Sequence, residues 1–181
     1  SVFRNQVSYI NDTFHAQRTI YPAGLGAYSL AAGDFNNDGL PDLATGENGG
    51  TRIVIFKNKS VQGVINFDTL SFTTDAYPYG LAISDFDGDG RQDIVISAQG
   101  SGSILVHRNV SVGDTIRFAA RVNIASAGAP YALAVGDIDD DGKTDIIASG
   151  AGGLIYVIRN VSTPGALLFE PRMDIRIPGG R

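Results

Sequence analysis

The chain has 181 residues, 43% of them hydrophobic, with 23 glycines, no cysteine, no tryptophan and a formal net charge of −5. Without cysteine there are no disulfides and no thiolate chemistry, and no apolar run reaches the roughly 18 residues of a membrane-spanning helix. Basic residues are sparse and not interleaved with aromatics, so nucleic acid is not an expected partner; the acidity is gathered into three short segments and says little about the sign of any partner.

From the N-terminus, Val2-Phe3-Arg4-Asn5 reads as the end of a strand, and the same ending returns as Ile55-Phe56-Lys57-Asn58, Val106-His107-Arg108-Asn109 and Val157-Ile158-Arg159-Asn160. Each Asn is followed nine residues later by Phe14, Phe67, Phe118 or Phe169, at steps of 53, 51 and 51 residues. The acidic segments open at Asp34, Asp85 and Asp137, and Tyr28, Tyr79 and Tyr131 each stand six residues before them. Features held in one register define an internal repeat of about 50 residues.

In the third unit, 131–136 reads as one strand, then come an acidic loop, a strand over 145–149, a Gly-rich turn over 150–153, a strand over 154–159 and a fourth near 169–177. Four short strands per ~50 residues is the size of a propeller blade, and no 3.6-residue periodicity argues for helix. The expected fold is all-β, a β-propeller of four-stranded blades. The expected divisions are a partial blade over 1–27 and blades over 28–75, 76–127 and 128–181. About three and a half blades fall short of the 4–8 of a closed ring. The expectation is therefore a ring completed by the rest of a longer chain, with association of copies as the alternative.

The acidic loops are Asp34-Phe35-Asn36-Asn37-Asp38-Gly39-Leu40-Pro41-Asp42, Asp85-Phe86-Asp87-Gly88-Asp89-Gly90-Arg91-Gln92-Asp93 and Asp137-Ile138-Asp139-Asp140-Asp141-Gly142-Lys143-Thr144-Asp145. Oxygen side chains at positions 1, 3 and 5, a turn-forming Gly at 6 and a main-chain carbonyl at 7 suit a hard cation, Ca²⁺ better than Mg²⁺. The expected ligands are Asp34, Asn36, Asp38, the Leu40 carbonyl and Asp42; Asp85, Asp87, Asp89, the Arg91 carbonyl and Asp93; and Asp137, Asp139, Asp141, the Lys143 carbonyl and Asp145. The loops open like an EF-hand but lack its position-12 Glu, where Thr45, Ile96 and Ala148 stand, so the position-9 Asp is read as the closing ligand. A lone Asp-rich turn needs no metal; repeated clusters of carboxylates repel unless a cation neutralises them. With Asn36 replacing a carboxylate, the first loop is expected to bind most weakly.

At these residues the chain resembles the FG-GAP/VCBS repeat family, whose best-known members are the integrin α-subunit propellers. Gly128-Ala129-Pro130 supplies a literal GAP ahead of the third strand set, with Tyr77-Pro78 at the matching place one unit earlier, while no Phe-Gly pair occurs. The resemblance implies Ca²⁺ held between the first and second strands of each blade, and an extracellular ring that displays loops to a protein or glycan. It equally allows a non-catalytic accessory module of a larger secreted enzyme, because fold and function separate here.

No constellation suggests catalysis. His107 occupies the position of Phe56 and Ile158 and reads as a blade residue, His15 follows a repeat Phe and has no evident partner, and the only glutamates are Glu47 and Glu170. The once-per-blade row Arg4, Lys57, Arg108 and Arg159 reads as solvated charge at strand ends that discourages edge pairing, with an anionic ligand as the alternative. Asn11, Asn58, Asn109 and Asn160 each open an Asn-x-Ser/Thr pattern, read as turn structure in preference to glycan attachment.

Overall fold

The computed structural model describes residues 2–4, 17–23, 26–47, 49–75, 77–126 and 128–178, with side chains from residue 20 onward. The readings that fall on Asn5, Asn11, Phe14 and His15 lie outside the described residues. Among the described residues every regular element is a strand. A short antiparallel pair, β1 (Val2–Arg4) and β2 (Gln17–Thr19), precedes three four-stranded antiparallel sheets. The first sheet runs β3 (Ala27–Gly33), β4 (Asp42–Glu47), β5 (Arg52–Asn58), β6 (Phe67–Thr73). The second runs β7 (Pro78–Ser84), β8 (Asp93–Ala98), β9 (Ser103–His107), β10 (Val122–Ala125). The third runs β11 (Pro130–Gly136), β12 (Asp145–Gly150), β13 (Leu154–Ile158), β14 (Met173–Arg176). Strand order within each sheet follows chain order, the meander of a propeller blade.

The fourth strand of the third unit is shorter than the sequence suggests. Phe169 leaves it and instead bridges Asn160, as Phe118 bridges Asn109. The nine-residue Asn-to-Phe interval is thus a hairpin between the third and fourth strands, closed by a tighter turn at its tip (Val112 with Thr115, Thr163 with Ala166).

Strands buried on both faces read as continuous apolar runs, and β5, β8 and β9 do so because sheets stack on sheets. One cluster, including Phe35, Ile53, Ile55, Leu81, Ile94 and Ile96, lies between the first and second blades. Another, including Phe86, Val95, Ile104, Ile146, Tyr156 and Ile158, lies between the second and third. The loop aromatics close these seams: Phe35 packs edge-on against Phe118 of the next blade at 5.6 Å, and Phe86 against Phe169 at 6.0 Å. Ile138, the counterpart in the third blade, is 57% exposed.

First strands of successive blades lie side by side, β3 against β7 and β7 against β11. They approach closely at Gly80, where a Cβ would stand 2.4 Å from the Tyr131 carbonyl oxygen. Each first strand carries a register shift near its start, between Ala27 and Leu30, Pro78 and Gly80, and Pro130 and Leu133. Such bulges re-aim side chains, and here they hold Tyr28, Tyr79 and Tyr131.

Candidate functional site

Each acidic loop joins the first strand of a blade to the second, and its local wiring repeats. Asp34, Asp85 and Asp137 curl the chain by accepting backbone N–H bonds three to five residues on, the Gly at position 6 donating at 2.8 Å in all three. That glycine takes φ of 84°, 85° and 82° in Gly39, Gly90 and Gly142, the left-handed region where a side chain is strained. Position 5 then accepts from the N–H of position 7. The loop's last residue is a buried knot. Asp93 accepts Phe86 N–H at 3.0 Å on one oxygen and Asn109 N–H at 2.7 Å on the other, tying the loop to the end of β9. Asp42 and Asp145 repeat both bonds.

The curl gathers oxygens. Asp85, Asp87 and Asp89 offer carboxylate oxygens all within 4.8 Å of one another, and so do Asp137, Asp139 and Asp145. Asp93 and Asp141 stand outside these trios, and among the described residues the first loop forms none, having Asn36 at the third position. Burial pushes the Asp93 carboxyl up to about 7 against the two N–H bonds that favour its ionised form, and the charges of Asp87 and Asp85 add to the rise. Asp42 is raised for the same leading reason. The only oxygen-bearing side chain in the first loop with an orphaned atom is Asn36, whose Oδ1 is buried without a hydrogen-bond partner.

In the basic row, Lys57, Arg108 and Arg159 are not the solvated charges expected from the sequence, and the Arg4 side chain lies outside the described ones. Arg108 reaches back across its blade to Asp87 (Nε, 2.7 Å) and Asp89 (Nη2, 3.2 Å). Arg159 does the same to Asp139 and Asp141, and its hydrogen bond holds the Asp139 carboxyl below the usual range. Lys57 is buried and pairs with Asp114 of the next blade. These guanidinium contacts bridge two carboxylates of one loop, as a small cation would. The row recurs once per blade in the sequence, but its target does not show there, because strand end and loop meet only after the sheet forms.

At the other end of each first strand, about 20 Å away at ~3.3 Å per residue, the tyrosines form a row. Ring centroids are 4.3 Å apart for Tyr28 and Tyr79 and 5.7 Å for Tyr79 and Tyr131. Tyr28, Tyr77, Pro78, Tyr79 and Gln99 line a recess of about 130 Å³. His107 sits elsewhere, in the seam between the first two blades, edge-on to Phe72 at 5.0 Å. Burial drives its pKa down to about 4, so it is a neutral blade residue, as its register position suggests.

The model of the FG-GAP-like repeat matches residues 34–96 and again 85–148, overlapping stretches that each begin at an acidic loop and end in the second strand of the following blade. The chain belongs to the FG-GAP-like repeat family. An FG-GAP-like repeat here is therefore one loop, the rest of its blade, and the first strand, loop and much of the second strand of the next. Among curated proteins the chain is similar to integrin alpha-V of Gallus gallus, with 28% identity over 163 residues covering 75% of this chain. It spans 15% of that protein's length. Of the residues that sequence reading missed, Arg108 as a loop partner and Asp114 beside the first loop lie within the second matched stretch, and Arg159, the loop partner in the third blade, lies beyond it.

Proposed function

We propose that the chain is a calcium-stabilised, extracellular binding module: FG-GAP-like blades over 28–75, 76–127 and 128–181 that hold Ca²⁺ at one end of their first strands and present a partner surface at the other. The observation that carries this reading is the convergence of three carboxylates within the acidic loop of the second blade and again within that of the third. Two ligands of one Ca²⁺ lie no more than about 5 Å apart at its bond lengths, and oxygens within 4.8 Å of one another meet that limit. The donor set is all oxygen, which suits Ca²⁺ and not zinc, and the orphaned Asn36 Oδ1 supports the same use of the first loop.

Asp34, Asn36, Asp38, Asp42 and the Leu40 carbonyl would hold one ion, with Asp85, Asp87, Asp89, Asp93 and the Arg91 carbonyl, and Asp137, Asp139, Asp141, Asp145 and the Lys143 carbonyl, holding two more. The ion supplies positive charge that neutralises the loop and ties its ends together. The partner surface is the tyrosine row. Its recess is smaller than the ~300 Å³ of a typical small-molecule site, which favours one side chain of a protein or the face of one sugar over an engulfed ligand. A further blade, from a longer chain or a second copy, would cover Ile138 as the second and third blades cover Phe35 and Phe86.

Melting the chain in millimolar Ca²⁺ and in EDTA tests the metal reading. A ligand bound only by the folded state at 100 times its Kd adds about 2.7 kcal/mol, so the calcium curve should lie several degrees higher; superimposed curves refute it. Binding to arrayed glycans and cell-surface ectodomains, with and without Tyr79→Ser, then tests the partner face.

A further inference from the structure

Two positions vary among units that otherwise repeat closely, and the structure places them against each other. The third position of the loop is Asn36, Asp87 or Asp139; the tip of the hairpin after each repeated Asn carries Gly63, Asp114 or Gly165. The tips of the second and third hairpins lie over the loop of the preceding blade. Where that loop has Asp87, the next blade brings the N–H of Gly165, which donates to Asp87 Oδ2 at 2.9 Å. Where the loop has Asn36, the next blade brings a carboxylate: Asn36 Nδ2 donates to Asp114 Oδ1 at 3.2 Å. A carboxylate absent from the loop is thus present across the seam.

The surrounding charges follow it. Lys57, the counterpart of Arg108 and Arg159, pairs with Asp114 in place of its own loop, and Lys59 joins at 2.9 Å. Among the described residues Asp34 and Asp38 have no ion pair. Asn36 Nδ2 also donates to Asp38 Oδ2 at 2.9 Å, so two carboxylates hold the nitrogen end of the amide. Its oxygen end is left buried and without a partner.

We infer that Asp114 is a positioning residue for the first loop's cation, supplied by the neighbouring blade. It fixes the Asn36 amide with Oδ1 free to meet the ion, and it places beside the loop a carboxylate that the loop itself lacks at its third position. The inference rests on the calcium reading of the loops. Because Asp114 reaches the loop only when the two blades are docked, calcium at the first loop and packing of the first seam become linked. Asp114 also offsets the weakness expected from the loop's own nine residues.

The experiment is a Ca²⁺ titration of the full chain followed by the backbone amides of Gly39, Gly90 and Gly142, each reporting one loop. Partners one shell removed from a metal typically change affinity about 10- to 100-fold. Asp114→Asn is expected to weaken the Gly39 response by that factor and leave the Gly90 and Gly142 responses unchanged. Adding Asn36→Asp to Asp114→Asn is expected to restore it, because charge returns to the loop by another route. An unchanged Gly39 affinity in Asp114→Asn, or a double variant as weak as the single, would mean that Asp114 is only a lysine clamp and overturn the proposal. Loss of all three responses in the unmodified chain overturns the calcium reading itself, whereas responses at Gly90 and Gly142 with none at Gly39 overturn only the role of Asp114.

Discussion

Asn109 of the second blade donates through Nδ2 to the carbonyl oxygen of Phe35 in the first, 2.8 Å away, and Asn160 repeats the bond to Phe86 at 2.7 Å. The repeated Asn is therefore a clamp between blades as well as a turn residue. The same side chain also donates to the Gln92 carbonyl and accepts the N–H of Ser111, and both asparagines are fully buried.

Asn109→Ala should accordingly leave two carbonyls and one N–H without partners. Unsatisfied buried polar groups cost about 1–3 kcal/mol each, so chemical denaturation should show a loss in at least that range. The burial also decides the glycosylation question at these sites. Expression in a glycosylating host should give unmodified Asn109 and Asn160 by peptide mass spectrometry.

Arg108 stands on two carboxylates of the second loop, Asp87 and Asp89, where it would compete with the proposed cation. Arg108→Gln should lower the melting temperature in EDTA and tighten Ca²⁺ binding at the second loop. Calorimetric titration beside the parent chain checks both directions; weaker binding in the variant contradicts the competition.

His107 is neutral in the fold, with a pKa pushed from 6.5 to about 4 by burial. Below pH 6.5 the unfolded chain takes up a proton that the folded chain refuses, so this group's contribution is complete above 6.5 and is lost as pH falls toward 4. The span is on the order of 3 kcal/mol at most. His107→Phe, which places there the residue found at Phe56, should remove this slope from a plot of stability against pH relative to the parent.

Two glycine substitutions separate strain from collision. Gly90→Ala meets no atom within 4 Å but must keep φ near 85°, a cost of about 1–2 kcal/mol. Gly80→Ala would place Cβ 2.4 Å from the Tyr131 carbonyl and 2.6 Å from Ser97 Oγ, forcing two first strands apart. Thermal unfolding should rank Gly80→Ala as the more damaging.

The blade and its acidic loop were legible in the residues because their encoding is local. Turn glycines, apolar runs and the bonds from Asp85 to Gly88, Asp89 and Gly90 all act across three to five positions. Hence the all-β fold, the repeat and the position of each loop could be read before any strand was placed. The fourth strand of the third unit is shorter than its sequence suggests because the Asn160–Phe169 bridge looks, in sequence, like the start of a strand rather than the neck of a hairpin.

What the tertiary structure alone decided lies across the seams. Asn109 meets Phe35 over 74 positions, and Asn36 meets Asp114 over 78; Arg108 finds Asp87 over 21. No local pattern carries such distances, because they are set by how sheets stack, not by how the chain turns. Sequence by itself determined the pieces and the acidic groups each loop carries; packing determined which charges face one another, setting Arg108 on Asp87 and Asp114 beside Asn36.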